Sequence, residues 1–340
     1  MNNLKKVGLS ALAGSLVAFS ANAVDMSVTG TAEVTYTTEG GTNSVTGNPF
    51  GSNTSIKFSG SGDVGFGTAT IVRTINDGLG SAWLSAYTTL DMGAMGTLSH
   101  DSIGGGLAGT SANDDLLPTA YEEVWNSVSG AGVLGAASND TIGYTNTVGP
   151  VSISLATTKG GTGASGDGGN DGEGVTSHIS DWYVSTSVPY VEGLTIGYGQ
   201  SKTEFAISSE NDDTSMVGHL LYSMGPASLG YRIAEQQDGS DGSNGLNVEA
   251  YAVAFNLNDE VAVSLATQDT EYDVPSGTNV TETVDAVNAS YTVGAASVRA
   301  TFSESDNDGG QTGDTDEHME LSLVLSFSVS YTHLTLPTKA

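Results

Sequence analysis

From Met26 onward the chain alternates apolar and polar residues with a period of two, and it does so in sixteen separate runs. The first sets Met26, Val28, Ala32, Val34 and Tyr36 against Ser27, Thr29, Thr31, Glu33 and Thr35. Successive side chains of a strand point to opposite faces, so each run presents one apolar face and one polar face. The others fall at 54–62, 67–76, 82–91, 96–101, 140–146, 150–158, 177–188, 193–203, 214–224, 227–235, 247–257, 261–268, 283–292, 296–303 and 317–327. A chain of this pattern is all-β.

The gaps between runs also alternate. After odd-numbered runs they are long and polar, at 38–53, 102–139, 159–176, 204–213, 236–246, 269–282 and 304–316, with 77–81 as the one short exception. After even-numbered runs they are short, as at Gly225-Pro226, Asn258-Asp259-Glu260 and Val293-Gly294-Ala295. Tight turns at one end and long loops at the other describe an up-and-down transmembrane barrel. Tyr222, Phe255 and Tyr291 each stand three residues before a short turn, which places aromatic rings in a row at one membrane interface. The opposite faces are small or polar: Ala250, Ala252, Ala254 and Asn256; Ala262, Ser264, Ala266 and Gln268; Asn288, Ser290 and Thr292. They are expected to line water, and sixteen strands close around a width sufficient for an aqueous channel.

Export is written at the start. Lys5 and Lys6 precede an apolar run from Val7 to Phe19, and Ala21-Asn22-Ala23 is a small-residue cleavage site, so residues 1–23 read as a signal peptide and 24–328 as the barrel. No later stretch approaches the roughly 18 apolar residues of a spanning helix, which leaves strands as the means of residing in a membrane. Subtracting Lys5 and Lys6 from nine basic residues leaves seven against 39 acidic ones, a net charge of −32 that excludes nucleic acid as a natural partner. There is no cysteine, hence no disulfide framework and no thiolate chemistry.

The long gap at 102–139 carries the densest chemistry. Asp114, Asp115, Glu122 and Glu123 lie within ten positions, and loops of this length are uncommon unless functional or disordered. Asn113 to Asp115 offer cap oxygens, Pro118 suits a first helical turn, and Tyr121, Val124, Trp125 and Val128 follow helical spacing before Gly130. The spacing predicts a short helix that packs this stripe against some other part of the chain and turns Glu122 and Glu123 the other way, within a loop read as folded into the mouth of the barrel.

These features together resemble the general diffusion porins of Gram-negative outer membranes. The likeness rests on the opening strand, on Ala86 to His100 with its LDMGAMGTLSH turn and strand, on the long loop that follows, on Thr141-Ile-Gly-Tyr-Thr-Asn-Thr, and on the strand from Leu321 to Phe327. The resemblance implies a 16-stranded antiparallel transmembrane barrel that assembles as a homotrimer in the outer membrane. It also implies an inward-folded third external loop whose acids face basic residues on the wall. The P-E-F-x-G motif common on that loop is missing here. Setting Lys339 aside leaves six basic residues in the mature chain, too few for a dense wall cluster.

Lys57, Arg232 and Arg299 each sit between apolar neighbours and must face inward if those neighbours face lipid, because a charge at the bilayer midplane costs about 2–4 kcal/mol. Arg73 lies in a run of ambiguous phase. The pore constriction is accordingly expected to comprise Asp114, Asp115, Glu122, Glu123, Lys57 and Arg73, with Arg232 and Arg299 on the pore wall. The implied function is passive diffusion of small hydrophilic solutes and ions with a preference for cations; a structural or adhesive barrel with acidic external loops is the alternative. No cofactor or metal site is expected. Asp306-Asn-Asp-Gly-Gly lacks the later ligands of a calcium loop, although divalent ions bridging loop acids to lipopolysaccharide phosphates fit the composition. His100, His178, His219 and His318 fall on separate strands, with no nucleophile elbow or metal spacing, so no enzyme activity is expected.

The chain ends Val329-Ser-Tyr-Thr-His-Leu-Thr-Leu-Pro-Thr-Lys-Ala340 after Phe327, the aromatic at which such barrels stop. That string is similar to a translated sequencing-adaptor end, and 329–340 are read as non-native.

Overall fold

The computed structural model describes residues 25–42, 47–76, 84–103, 109–110, 113, 116–124, 140–159, 177–205, 212–237, 245–273 and 277–331. Sixteen strands run through them: β1 (Asp25–Gly41), β2 (Phe50–Asp63), β3 (Thr68–Asn76), β4 (Ser85–Asp91), β5 (Thr97–Ile103), β6 (Thr141–Val148), β7 (Val151–Lys159) and β8 (Ser177–Ser187) make the first half. The second half is β9 (Leu194–Phe205), β10 (Asp213–Met224), β11 (Ala227–Gln237), β12 (Leu246–Asn256), β13 (Val261–Tyr272), β14 (Val280–Val293), β15 (Ala296–Asp306) and β16 (Thr315–Tyr331). Each pairs antiparallel with its neighbours in sequence, and β16 pairs with β1 to close the barrel. Every backbone edge is thereby used, which is what allows a sheet to reside in hydrocarbon. Among the described residues no helix is long and apolar enough to cross a membrane.

The strands extend further than the alternation predicts. β14 begins at Val280 and β16 spans Thr315–Tyr331, where the sequence pattern covers 283–292 and 317–327. Above the apolar belt both faces are polar, so the hydrophobic period stops while the hydrogen-bonded ladder continues. The connection between β3 and β4 occupies 77–84, so the long loops all lie at one end. At the other end of β16, Val329, Ser330 and Tyr331 pair with Val28, Ser27 and Met26.

Residues directly opposite each other on neighbouring strands share a face, so the register separates outside from inside. Val34, Leu323 and Val298 are in register on one face, together with Leu325, Leu265, Val287 and Phe302, and all of these remain widely exposed. This is the outer, apolar belt. Phe255 and Tyr291 belong to it near the short turns, both exposed. The inner face behaves differently from the expectation of a uniformly wet wall: Ala250, Ala252, Ala266 and Ala286, with Val284, are buried together with Leu117 and Val124 in one apolar cluster. Small side chains on the wall do form a dry core, because a loop supplies the large apolar partners that the strands lack.

Candidate functional site

That loop is the third long connection, residues 104–140, between β5 and β6. Its described part runs along the inner wall from β8 around to β1. The Thr110 backbone N–H donates to Asp181 Oδ1 at 2.6 Å on β8. Leu117 and Pro118 press on Gly230 of β11, where a Cβ would lie 2.8 Å from Leu117 Cδ2 and closer still to the Pro118 ring, so only glycine lets the loop approach this near. The Ala120 N–H donates to Ser264 Oγ on β13 at 2.8 Å. Glu122 is held to Asn288 of β14 by its N–H, 3.3 Å from Oδ1, and by its carbonyl, 3.0 Å from Nδ2. Burying the Leu117 and Val124 side chains contributes about 1.5–3 kcal/mol apiece to this docking.

Residues 116–124 are irregular, with bends at 120–122 and a turn at Val124, and not helical. The expected short helix does not form across its described part, because the backbone donors at Ala120 and Glu122 bond wall side chains in place of a preceding helical turn. Trp125 and Val128 lie outside the described residues. Of the two described residues of the predicted stripe, Val124 belongs to the apolar cluster and Tyr121 does not; the loop's other member of that cluster is Leu117, seven positions before Val124.

Tyr121 reaches the seam where the barrel closes. Its hydroxyl donates to Glu320 Oε1 on β16 and stands 3.5 Å from Glu33 Oε1 on β1, and Ser322 Oγ donates to the same Glu33 oxygen. The Arg299 guanidinium of β15 lies 5.5 Å from the centre of the Tyr121 ring, a cation–π distance. Burial first, and then the Glu320 hydrogen bond, pushes the Tyr121 phenol well above the usual tyrosine range, so it stays a neutral donor.

The sequence-predicted residues distribute unevenly around this arrangement. Glu122 and Glu123 are on the loop and half-buried. Asp114 and Asp115 lie outside the described residues. Lys57 is on the inner face of β2, opposite Thr29 and Thr74, exposed and without a hydrogen bond or ion pair among the described residues. Arg73 requires a correction. It pairs with Phe58 and Ala86 and shares the outer face with Ile71, while Val72 and Thr74 are the buried inward residues, so Arg73 is no part of a constriction. Its guanidinium donates to the carbonyls of Val72 at 2.6 Å and Tyr87 at 3.2 Å.

Arg232 faces inward but is fully buried, with Nη1 3.4 Å from Gln268 Oε1 and His219 directly opposite on β10. It does not border water, contrary to the pore-wall expectation. Arg299 does stand at the loop, nearer than its place on a late strand implies, because β15 lies only two strands from β1 in the closed ring. His318 Nδ1 contacts Glu39 Oε1 at 2.7 Å, and Lys202 is held at the outer rim by Glu204 and Asp212, each at 2.9 Å.

Glu33 and Glu320 are site residues that pattern reading does not single out, and it gives Tyr121 a place only in a packing stripe. The two glutamates occupy the polar phase of the first and last strands, which is visible, but nothing local says that the loop meets them. Inner-face residues of β1 and β2, such as Asn53, Ser55 and Lys57, remain partly or fully exposed, whereas those of β11 to β14 are covered. The open part of the lumen therefore borders the first two strands.

This architecture is that of the 16-stranded porins. It is similar to the trimer form of OmpT, an outer membrane protein of Vibrio cholerae, at 12% identity over 90% of this chain and 100% of that one, with a TM-score of 0.62. An anion-selective porin from Comamonas acidovorans matches at 15% identity over 90% and 99%, TM-score 0.62. OmpF of Salmonella typhi, in complex with daunomycin, matches at 11% identity over 89% and 97%, TM-score 0.65. No protein-family model and no curated protein matches the sequence.

Proposed function

We propose that this chain is an outer-membrane porin: a water-filled channel for passive diffusion of small hydrophilic solutes and ions, preferring cations, without enzymatic activity. One observation carries the reading. A closed barrel with an apolar exterior holds a long loop against its inner wall, and the ionisable groups around the described part of that loop are predominantly acidic. Glu122 and Glu123 on the loop and Glu33 and Glu320 on the wall stand against Arg299 and Lys57. Charges on the external loops are largely screened beyond a Debye length of about 8–10 Å, so the local balance decides permeation. Carboxylates beside low-dielectric walls focus the field and favour cations, as acidic rings do in other channels.

Lipid and lipopolysaccharide are the surroundings this reading implies, with a homotrimer as the assembly. The trimer draws support from Arg73. A guanidinium on the outer face, flanked by Ile71 and opposite Phe58, costs about 2–4 kcal/mol against lipid at the midplane, and a protein neighbour removes much of that cost. The leader at 1–23 and the non-native status of 329–340 belong to the same reading; resequencing the locus tests the latter, and a native frame running through Ala340 overturns it.

The function is tested in planar bilayers with the refolded mature chain. Stable ohmic steps and a reversal potential of cation-preferring sign in a KCl gradient are expected, with the preference reduced when Asp114, Asp115, Glu122 and Glu123 are changed to Asn or Gln. Absence of conductance favours the structural or adhesive barrel, and anion preference removes the loop acids from their assigned role.

A further inference from the structure

Resting on the porin reading, we propose that Tyr121 is a specificity-determining positioning residue: its phenol shields the Glu33 and Glu320 carboxylates at the β1–β16 seam and so sets how strongly the passage prefers cations. The geometry begins with the seam. Glu33 and Glu320 come from opposite ends of the chain, yet both face inward on the two strands that close the barrel. No lysine or arginine forms an ion pair with either among the described residues. Their described partners are hydroxyls, Ser322 Oγ on Glu33 and Tyr121 Oη between the two acids.

A neutral hydroxyl satisfies a carboxylate without cancelling its charge. It also occupies lone pairs that a permeating cation would use. Arg299, the nearest guanidinium, faces the Tyr121 ring and forms no ion pair among the described residues. The aromatic ring therefore takes up one face of the Arg299 guanidinium. Asn288 and Ser264 fix the backbone on both sides of Tyr121, so the phenol is presented by a braced segment and not by a free tip.

Two consequences separate this role from ordinary packing. Removing the hydroxyl alone, with the ring and its contact to Arg299 kept, uncovers two carboxylates and should increase cation preference. Removing the carboxylates should decrease it and make the hydroxyl irrelevant. A residue that only stabilises the loop would instead raise current noise and shift selectivity in no set direction.

The test is the reversal potential of wild type, Tyr121→Phe, Glu33→Gln/Glu320→Gln and the combined triple variant in a KCl gradient, each first shown to be folded by its β-type circular dichroism and its gel shift on boiling. Tyr121→Phe is expected to raise the cation-to-anion permeability ratio about twofold, the double glutamine variant to lower it, and the triple variant to match the double one. Block by external magnesium should follow the same order. A Tyr121→Phe channel with wild-type selectivity and magnesium block overturns the proposal, as does a triple variant that still responds to loss of the hydroxyl. A wild type without conductance sinks the porin reading instead. If Tyr121→Phe does not fold, 4-fluorophenylalanine incorporated at position 121, which keeps the six-membered ring and removes the hydroxyl donor, carries the same expectation.

Discussion

Asn288 holds the peptide units on both sides of Glu122 with a single side-chain amide, its Oδ1 accepting from the Glu122 N–H and its Nδ2 donating to the Glu122 carbonyl. Such a clamp reads backbone position and makes no use of the carboxylate, so it docks the loop whatever the charge at that position.

Asn288→Ala should therefore loosen the loop without opening the barrel. It removes two hydrogen bonds and leaves a donor and an acceptor to find water, at about 1–3 kcal/mol in local docking. Faster amide exchange across 116–124 and noisier single-channel current are expected, with the boiling-dependent gel shift retained. Unchanged exchange at Glu122 would show that the apolar cluster of Leu117 and Val124 suffices.

Leu117→Ala tests that cluster from the other side. Cavity formation beneath the loop should cost about 2–5 kcal/mol of loop docking. Proteolytic nicking within the loop is expected to accelerate while the sixteen strands resist cleavage.

At the closing seam Phe327 lies over Gly30 on the outer face, where an added Cβ would meet the ring and come 2.8 Å from the Ser55 carbonyl oxygen. Gly30→Val should destabilise the barrel by about 1–3 kcal/mol through overpacking, read as a lower temperature for the gel shift. Combining it with Phe327→Ala should recover part of the loss; no recovery would place the strain against the Ser55 backbone alone.

Lys57 and Arg73 lie on adjacent strands, and register puts them on opposite faces. Lys57→Gln is expected to shift the reversal potential toward greater cation preference. Arg73→Ala should leave that potential alone and lower the temperature at which subunits separate. A selectivity change from Arg73→Ala without loss of assembly would contradict the outward placement.

Ending the chain after Ser328 removes three of the sixteen residue pairs between β1 and β16, those of Val329, Ser330 and Tyr331. The remaining pairs should close the barrel, with β-type circular dichroism and the gel shift intact. Failure to refold would give the last residues a structural part.

Much of the wall is legible in the sequence because its signal is local. A strand in contact with lipid on one side must repeat every two residues, and a short turn must follow where the chain reverses, so strand number, order and the end bearing the long loops can be read from neighbouring residues alone. Phase fails where both faces are apolar. Ile71 and Val72 adjoin each other, and only the pairing of Ile71 with Gly60 and of Val72 with Ser59 settles that the first points out and the second in, which sends Arg73 outward as well.

What the tertiary structure alone decides is who meets whom. Ring closure sets β16 beside β1, so Tyr121 reaches Glu33, 88 residues away, and Glu320, 199 residues away, at one point. The alanines of β12 to β14 become a core, not a wet wall, because a loop more than a hundred residues earlier in the chain lies on them. Periodicity reports which face a residue takes, since that depends on its own strand. It is silent on what covers that face, since that depends on the path of a loop whose described bonds to the wall are long-range.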